Sequence, residues 1–94
     1  MASRGRGINK FIYSAEQAAF CELMKKARKN AGLTQHAVAK RLKKPQSFVA
    51  KYERGERRLD VLEFLTITRA IGADPLGILR SLVRRSGLSP QRRS

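Results

Sequence analysis

Four breaks cut the middle of this 94-residue chain into short pieces: Gly32, the Lys44-Pro45 pair, Gly55 and Gly72. Each piece opens on a helix-capping signal, and none shows the alternation of a strand. Ser14, with Gln17 three residues on, has the form of a capping box. Phe20, Leu23, Met24, Ala27 and Ala31 then follow the i, i+3, i+4, i+7, i+11 spacing of one helix face. Gly32 falls where a helix ends in the left-handed conformation. Thr34 caps a second helix, with Val38, Ala39 and Leu42 on its inner face. Proline drives the residue before it out of the α region, so Lys44-Pro45 ends that helix. Pro45 fits the first position of a third helix, where its missing N–H costs nothing. Gly55 closes the third helix. Asp60 with Glu63 opens a fourth that Gly72 closes, and Asp74-Pro75 opens a fifth reaching about Arg84. The expected fold class is all-α, with five short helices.

The same reading places one domain at residues 14–85. A basic N-terminal arm at 1–13 and a basic tail at 86–94 are expected to be flexible. Lys and Arg number 21 against 7 Asp and Glu, a formal charge of +14. Such a charge repels itself unless a polyanion lies nearby, nucleic acid first and a membrane surface second. The apolar runs fall far short of the ~18 residues that a membrane span needs, and the N-terminus lacks the apolar stretch of a signal peptide. Cys21 is the only cysteine, so no internal disulfide forms and nothing points to secretion. The expectation is a cytoplasmic, nucleoid-associated protein with no membrane partner.

The third helix carries the most chemistry. On a wheel at ~100° per residue, Gln46, Ser47, Ala50, Lys51 and Arg54 share an arc of roughly 140°. Phe48, Val49, Tyr52 and Glu53 fall on the other side. An amide pairs with adenine, a lysine with guanine and a methyl group with thymine, and a helix fits the major groove. Gln46, Ser47, Ala50 and Lys51 are therefore the expected base readers. The same residues would also make an ordinary solvated helix face, and the surrounding pattern decides between the two.

That pattern lies in "AGLTQHAVAKRL", "PQSFVAKYERGERRLD" and "AIGADP". It combines a Thr-Gln helix start, a small residue at the crossing of two helices, a Glu-x-Gly helix end and a capped fourth helix. From about Phe20 to Leu79 the chain resembles the lambda-repressor-like (Cro-type, XRE) helix-turn-helix family. The resemblance implies a five-helix domain that binds double-stranded DNA. It implies backbone contacts from Thr34 and Gln35, and phosphate or minor-groove contacts from Arg54, Arg57 and Arg58. It also implies an ion pair between Arg28 and Glu53 that ties the first helix to the third.

Three positions depart from the family. Lys43 stands where a turn glycine is usual, Lys44 where an apolar residue is common, and Pro45 where Ser or Thr caps the third helix. A phosphate neighbour accounts for all three, because free N–H groups and the positive end of a helix suit an anion. Lys43 and Lys44 join the expected backbone contacts on that ground. Glu56, set among arginines, is expected to turn from the DNA and pair with one of them.

Nothing points to catalysis, a cofactor or a metal. His36, the only histidine, has no ligand cluster around it, and Cys21 has no plausible base. The fourth helix is apolar around most of its circumference, and the fifth adds Leu76, Ile78, Leu79, Leu82 and Val83. Either the fourth helix is wholly buried, or these five residues and their flanks form a two-fold dimer face, as is common in the family. The expected function is a sequence-specific transcriptional regulator, a repressor binding a palindromic operator as a homodimer. The alternative is an antitoxin-type module that binds a protein partner and regulates its own promoter.

Overall fold

The computed structural model of the protein describes residues 14–86. The expected arm at 1–13 and the tail beyond Ser86 lie outside them. Among the described residues there are five α-helices and no strand. These are α1 Ala15–Asn30, α2 Gln35–Leu42, α3 Gln46–Glu53, α4 Val61–Ile71 and α5 Pro75–Ser86. The all-α expectation holds, and α5 runs past its expected end near Arg84.

The helix ends follow local chemistry closely. Thr34 Oγ1 accepts from the Ala37 N–H at 3.0 Å. At Asp60 both halves of a capping box form: Glu63 N–H donates to Asp60 Oδ1 (2.7 Å) and Asp60 N–H donates to Glu63 Oε1 (3.0 Å). At Ser14 the hydroxyl accepts from the Gln17 N–H, but the Gln17 amide turns to Cys21 Sγ at 3.6 Å. Gly32, at φ 74°, closes α1 in a Schellman turn, with Leu33 N–H donating to Arg28 O and Gly32 N–H to Lys29 O. Lys43 closes α2 the same way at φ 60°, the one non-glycine with positive φ among the described residues. Holding a lysine there costs on the order of 1 kcal/mol relative to glycine.

Pro45 differs from expectation. It is the N-cap of α3 at φ −66° and ψ 154°, and Gln46 is the first helical residue. The fixed φ of proline suits both positions, and the extended ψ is what lets the chain turn between α2 and α3. With no side-chain cap, the first N–H groups of α3 have no acceptor on the side chain before them.

Met24, Val38, Ala39, Val49, Tyr52, Phe64, Ile67, Ile71 and Ile78 form the core. α1 packs on α3 and α5, and α2 packs on α3 and α4. The rings of Phe20 and Phe64 meet at 5.7 Å, and Phe48 meets Tyr52 edge-on at 5.6 Å. The Tyr52 hydroxyl is buried without a partner among the described residues, and burial pushes its pKa up.

Two expectations about the apolar surplus change. Ile78 is 9% exposed and belongs to the core, so it is not a surface residue of a dimer face. It points inward because α5 starts at Pro75, which sets the phase of every later residue on that helix. α4 is not wholly buried either. Phe64, Ile67 and Ile71 face the core, while Val61, Leu62 and Leu65 stay exposed, as do Leu76 and Leu79 on α5. Leu82 and Val83 are half-buried.

Candidate nucleic-acid interface

The inner face of α3 is fixed by burial. Val49, Tyr52 and Glu53 are inside, while Gln46, Ser47, Lys51 and Arg54 are exposed and Ala50 is half-buried between them. The helix thus presents an amide, a hydroxyl, a methyl and two cations on one open surface. Lys43 and Lys44 are exposed just before its uncapped N-terminus.

A chain of polar contacts runs from the first helix to this surface. Arg28 Nε donates to Glu53 Oε2 at 2.7 Å and Nη2 to Oε1 at 3.0 Å, while Nη1 donates to Leu33 O at 2.9 Å. The pair is buried, with side-chain exposures of 9% and 2%. Gln35 Nε2 also donates to Glu53 Oε1, at 3.0 Å, and Gln35 Oε1 accepts from Gln46 Nε2 at 3.4 Å. So the buried carboxylate fixes Gln35, and Gln35 steadies Gln46, the first of the expected base readers. This is a role for Gln35 beyond the expected phosphate contact. Thr34, the other residue of that helix start, is exposed.

The segment after α3 is tied down by two arginine–carboxylate forks. Arg54 pairs with Glu56, Nε to Oε2 at 2.8 Å and Nη2 to Oε1 at 3.2 Å, and both remain exposed. Glu56 thus finds an arginine, as its position demands. Arg57 pairs with Glu63, Nη1 to Oε1 at 3.1 Å and Nη2 to Oε2 at 2.8 Å. Hydrogen bonds from Arg54 and Arg57 hold the Glu56 and Glu63 carboxyls below their ordinary range. With folded values lowered, what these groups contribute to stability is present above the ordinary carboxylate pKa and is lost as pH falls through the lowered ones. Arg58 is exposed beside them.

The partner of Arg57 was not anticipated, nor was the bond from Arg41 Nη1 to Ala70 O at 2.8 Å, which ties α2 to the end of α4. Both depend on how helices pack. The one sequence signal for the first was Glu63 in a capping box, a carboxylate whose position was already fixed. Cys21 lies inside, its thiol donating to Tyr52 O at 3.3 Å, and burial raises its pKa, so it is a poor thiolate.

The helix-turn-helix family matches residues 24–78, from the second half of α1 through the start of α5. An XRE-family-like protein from Pseudomonas syringae pv. tomato str. DC3000 is 44% identical, with a TM-score of 0.72 over 88% of this chain and 98% of that one. The chain belongs to the XRE family of helix-turn-helix DNA-binding transcription regulators. The restriction-modification controller protein C.AhdI from Aeromonas hydrophila is 25% identical, with a TM-score of 0.63 over 69% of this chain and 98% of that one. A second controller, C.Esp1396I, shares the fold at 19% identity and a TM-score of 0.68, over 77% of this chain and 94% of that one. No curated protein matches the chain. The matched residues include α2 and α3, the two helices of its helix-turn-helix. No helix among the described residues is long and apolar enough to cross a membrane.

Proposed function

We propose that this protein is a repressor that occupies a palindromic operator as a homodimer and acts by occupancy rather than by catalysis. The observation that carries the reading is the exposed face of α3, where Gln46, Ser47 and Lys51 stand clear of the core beside an uncapped, lysine-flanked helix start. Gln46, Ser47, Ala50 and Lys51 read bases; Thr34, Gln35, Lys43, Lys44, Arg54 and Arg58 hold the backbone. A regulator of this kind works in the cytoplasm, on the nucleoid. The likeness to a controller of a restriction-modification system agrees with a regulatory role.

Selection of genomic fragments by the purified protein tests the reading, and a protein that enriches no sequence would defeat it. On the selected site, Gln46→Ala and Lys51→Ala are each expected to cost ~1–3 kcal/mol of binding and to relax the sequence at one position. Lys43→Ala is expected to weaken all sequences alike and lower the salt slope by about one. Binding to a randomised site library separates the two profiles, and identical profiles would refute the division of roles.

The dimer draws support from exposed leucines. Leu76 is 65% exposed and Leu79, one turn further along α5, is 40% exposed. A soluble domain leaves such residues together when something covers them, and a two-fold partner would set two copies of α3 about one DNA turn, ~34 Å, apart. Leu76→Glu and Leu79→Glu keep the core intact, since neither residue is part of it. Each is expected to stay helical, to sediment as a monomer and to lose operator affinity by ~10²-fold or more, the scale of lost bivalency. If the unmodified protein is already monomeric at micromolar concentration, the homodimer fails. A protein that copurifies on the same leucines would then favour the partner-binding alternative.

A further inference from the structure

We propose that Arg57 is a positioning residue: through Glu63 and the ring of Phe48 it fixes the reading helix against α4, and it is not one of the phosphate grips. The proposal rests on the DNA reading above and departs from the phosphate role that family resemblance gives Arg57.

Donor accounting is the first ground. A guanidinium has five N–H groups in a fixed fork. In Arg57, Nη1 donates to Glu63 Oε1 at 3.1 Å and to Arg58 O at 3.0 Å, and Nη2 donates to Glu63 Oε2 at 2.8 Å. Three donors are therefore committed, two of them in the bidentate geometry that arginine makes best. The acceptor is itself held. Glu63 closes the Asp60 capping box through Oε1, so its carboxylate sits at a fixed point of α4.

The second ground is what the guanidinium covers. Arg57 Cζ lies 4.8 Å from the centroid of the Phe48 ring, and Lys44 Nζ lies 5.3 Å from the same centroid. Phe48 is a residue of α3, immediately after Ser47 and one turn before Lys51. Lys44 belongs to the turn between α2 and α3. Two cations attend one ring, and the Glu63 carboxylate offsets the repulsion between them. Leu42, Lys44, Phe48, Asp60, Leu62 and Glu63 line one open cleft of about 230 Å³ at this junction. Phe48 and Glu63, the two groups that Arg57 joins, both line this cleft, which side-chain packing leaves open between the helix-turn-helix and α4. Val49, Tyr52 and Glu53 anchor the inner side of α3, so what the tie adds is a hold on the partly exposed Phe48 edge of the helix and on the place of Lys44.

A phosphate grip and a positioning clamp respond in opposite ways to loss of Glu63. If Arg57 gripped phosphate, Glu63 would mask it, and removing the carboxylate would strengthen binding to any DNA. If Arg57 is a clamp, removing the carboxylate releases it and degrades reading.

The test uses the full chain, the site that the unmodified protein selects, and a random duplex of equal length. Arg57→Lys keeps the charge and loses the fork. It is expected to lower affinity for the selected site roughly tenfold, about the worth of one base contact, with the random duplex and the salt slope unchanged. Glu63→Gln is expected to move the same way. In a Phe48→Leu background, Arg57→Lys is expected to cost little more, as it does for residues acting through one another. Thermal melts by circular dichroism establish that each variant is folded, and the two conservative single variants decide if Phe48→Leu is not.

Wild-type affinity in Arg57→Lys, or tighter binding of both duplexes by Glu63→Gln, would overturn the proposal and make Arg57 a grip. A measurement without DNA stands beside this. In the Arg57→Lys protein, NMR should show the Glu63 carboxyl titrating closer to its ordinary range and the Phe48 ring resonances shifted. An unchanged titration and ring overturn the clamp whatever the DNA result. Failure of the unmodified protein to select a site would defeat the DNA reading and not the clamp.

Discussion

Affinity for the operator is expected to fall about 10³–10⁵-fold between roughly 50 and 200 mM salt, the loss that accompanies ~6–10 neutralised phosphates. The cations that supply it are legible on the surface. Lys43 and Lys44 are exposed, with no carboxylate in ion-pair range among the described residues. Arg58 stands exposed close by. Arg54 is less effective, because Glu56 holds it until phosphate competes. Two such heads in a dimer reach the number of contacts required, and one head does not. A plot of log Kd against log salt from fluorescence anisotropy separates the cases, since each phosphate adds about −0.9 to the slope. A nearly flat line would end the DNA reading, and a slope about half as steep would mean one head binding alone.

Local chemistry made most of this fold readable, and tertiary geometry hid the rest. Gly32, Gly55 and Gly72 announce helix ends because positive φ suits glycine, and all three have it. Lys43 breaks that rule and was legible only through the family pattern, which puts a turn at its position. The inner and outer faces of α3 were readable because Val49 and Tyr52 share one side of a short helix. On α5 apolar residues cover too wide an arc for periodicity to choose, so Ile78 was assigned to the surface and proved to be core. The exposed state of Leu62 has the same origin: α4 is apolar nearly all round, and only packing decides which side is covered. The Arg28–Glu53 tie followed from matching family positions. The Arg57–Glu63 tie did not, because a loop arginine beside Arg54 and Arg58 offers no sign of which one a neighbouring helix will claim.

Removing Arg28 is expected to cost ~3–5 kcal/mol of folding stability, because it strands a buried carboxylate. Among the described residues, Glu53 would keep Gln35 as its one remaining side-chain donor, at 3.0 Å. Arg28 also donates to Leu33 O at 2.9 Å, so its loss loosens the turn that leads into the helix-turn-helix. Against a typical stability of ~5–15 kcal/mol, Arg28→Ala brings the domain close to unfolding, and urea denaturation measures the change directly. Removing both charges, as in Arg28→Met with Glu53→Leu, should cost less than removing either alone, since no unpaired charge stays inside. Because the pair is shielded from solvent, its loss should register nearly equally at low and high salt. The exposed Arg54–Glu56 pair should contribute little and fade with salt. Glu53→Gln separates folding from reading. It strands the Arg28 cation without a counter-charge but keeps the shape and one acceptor oxygen for it, so it should cost less stability than Arg28→Ala while Gln35, and through it Gln46, loses its charged anchor. Reduced discrimination at the base that Gln46 reads, in a protein still folded, is the expected result. Full discrimination in Glu53→Gln would mean that the Gln35–Gln46 contact does not carry order from the core to the DNA face.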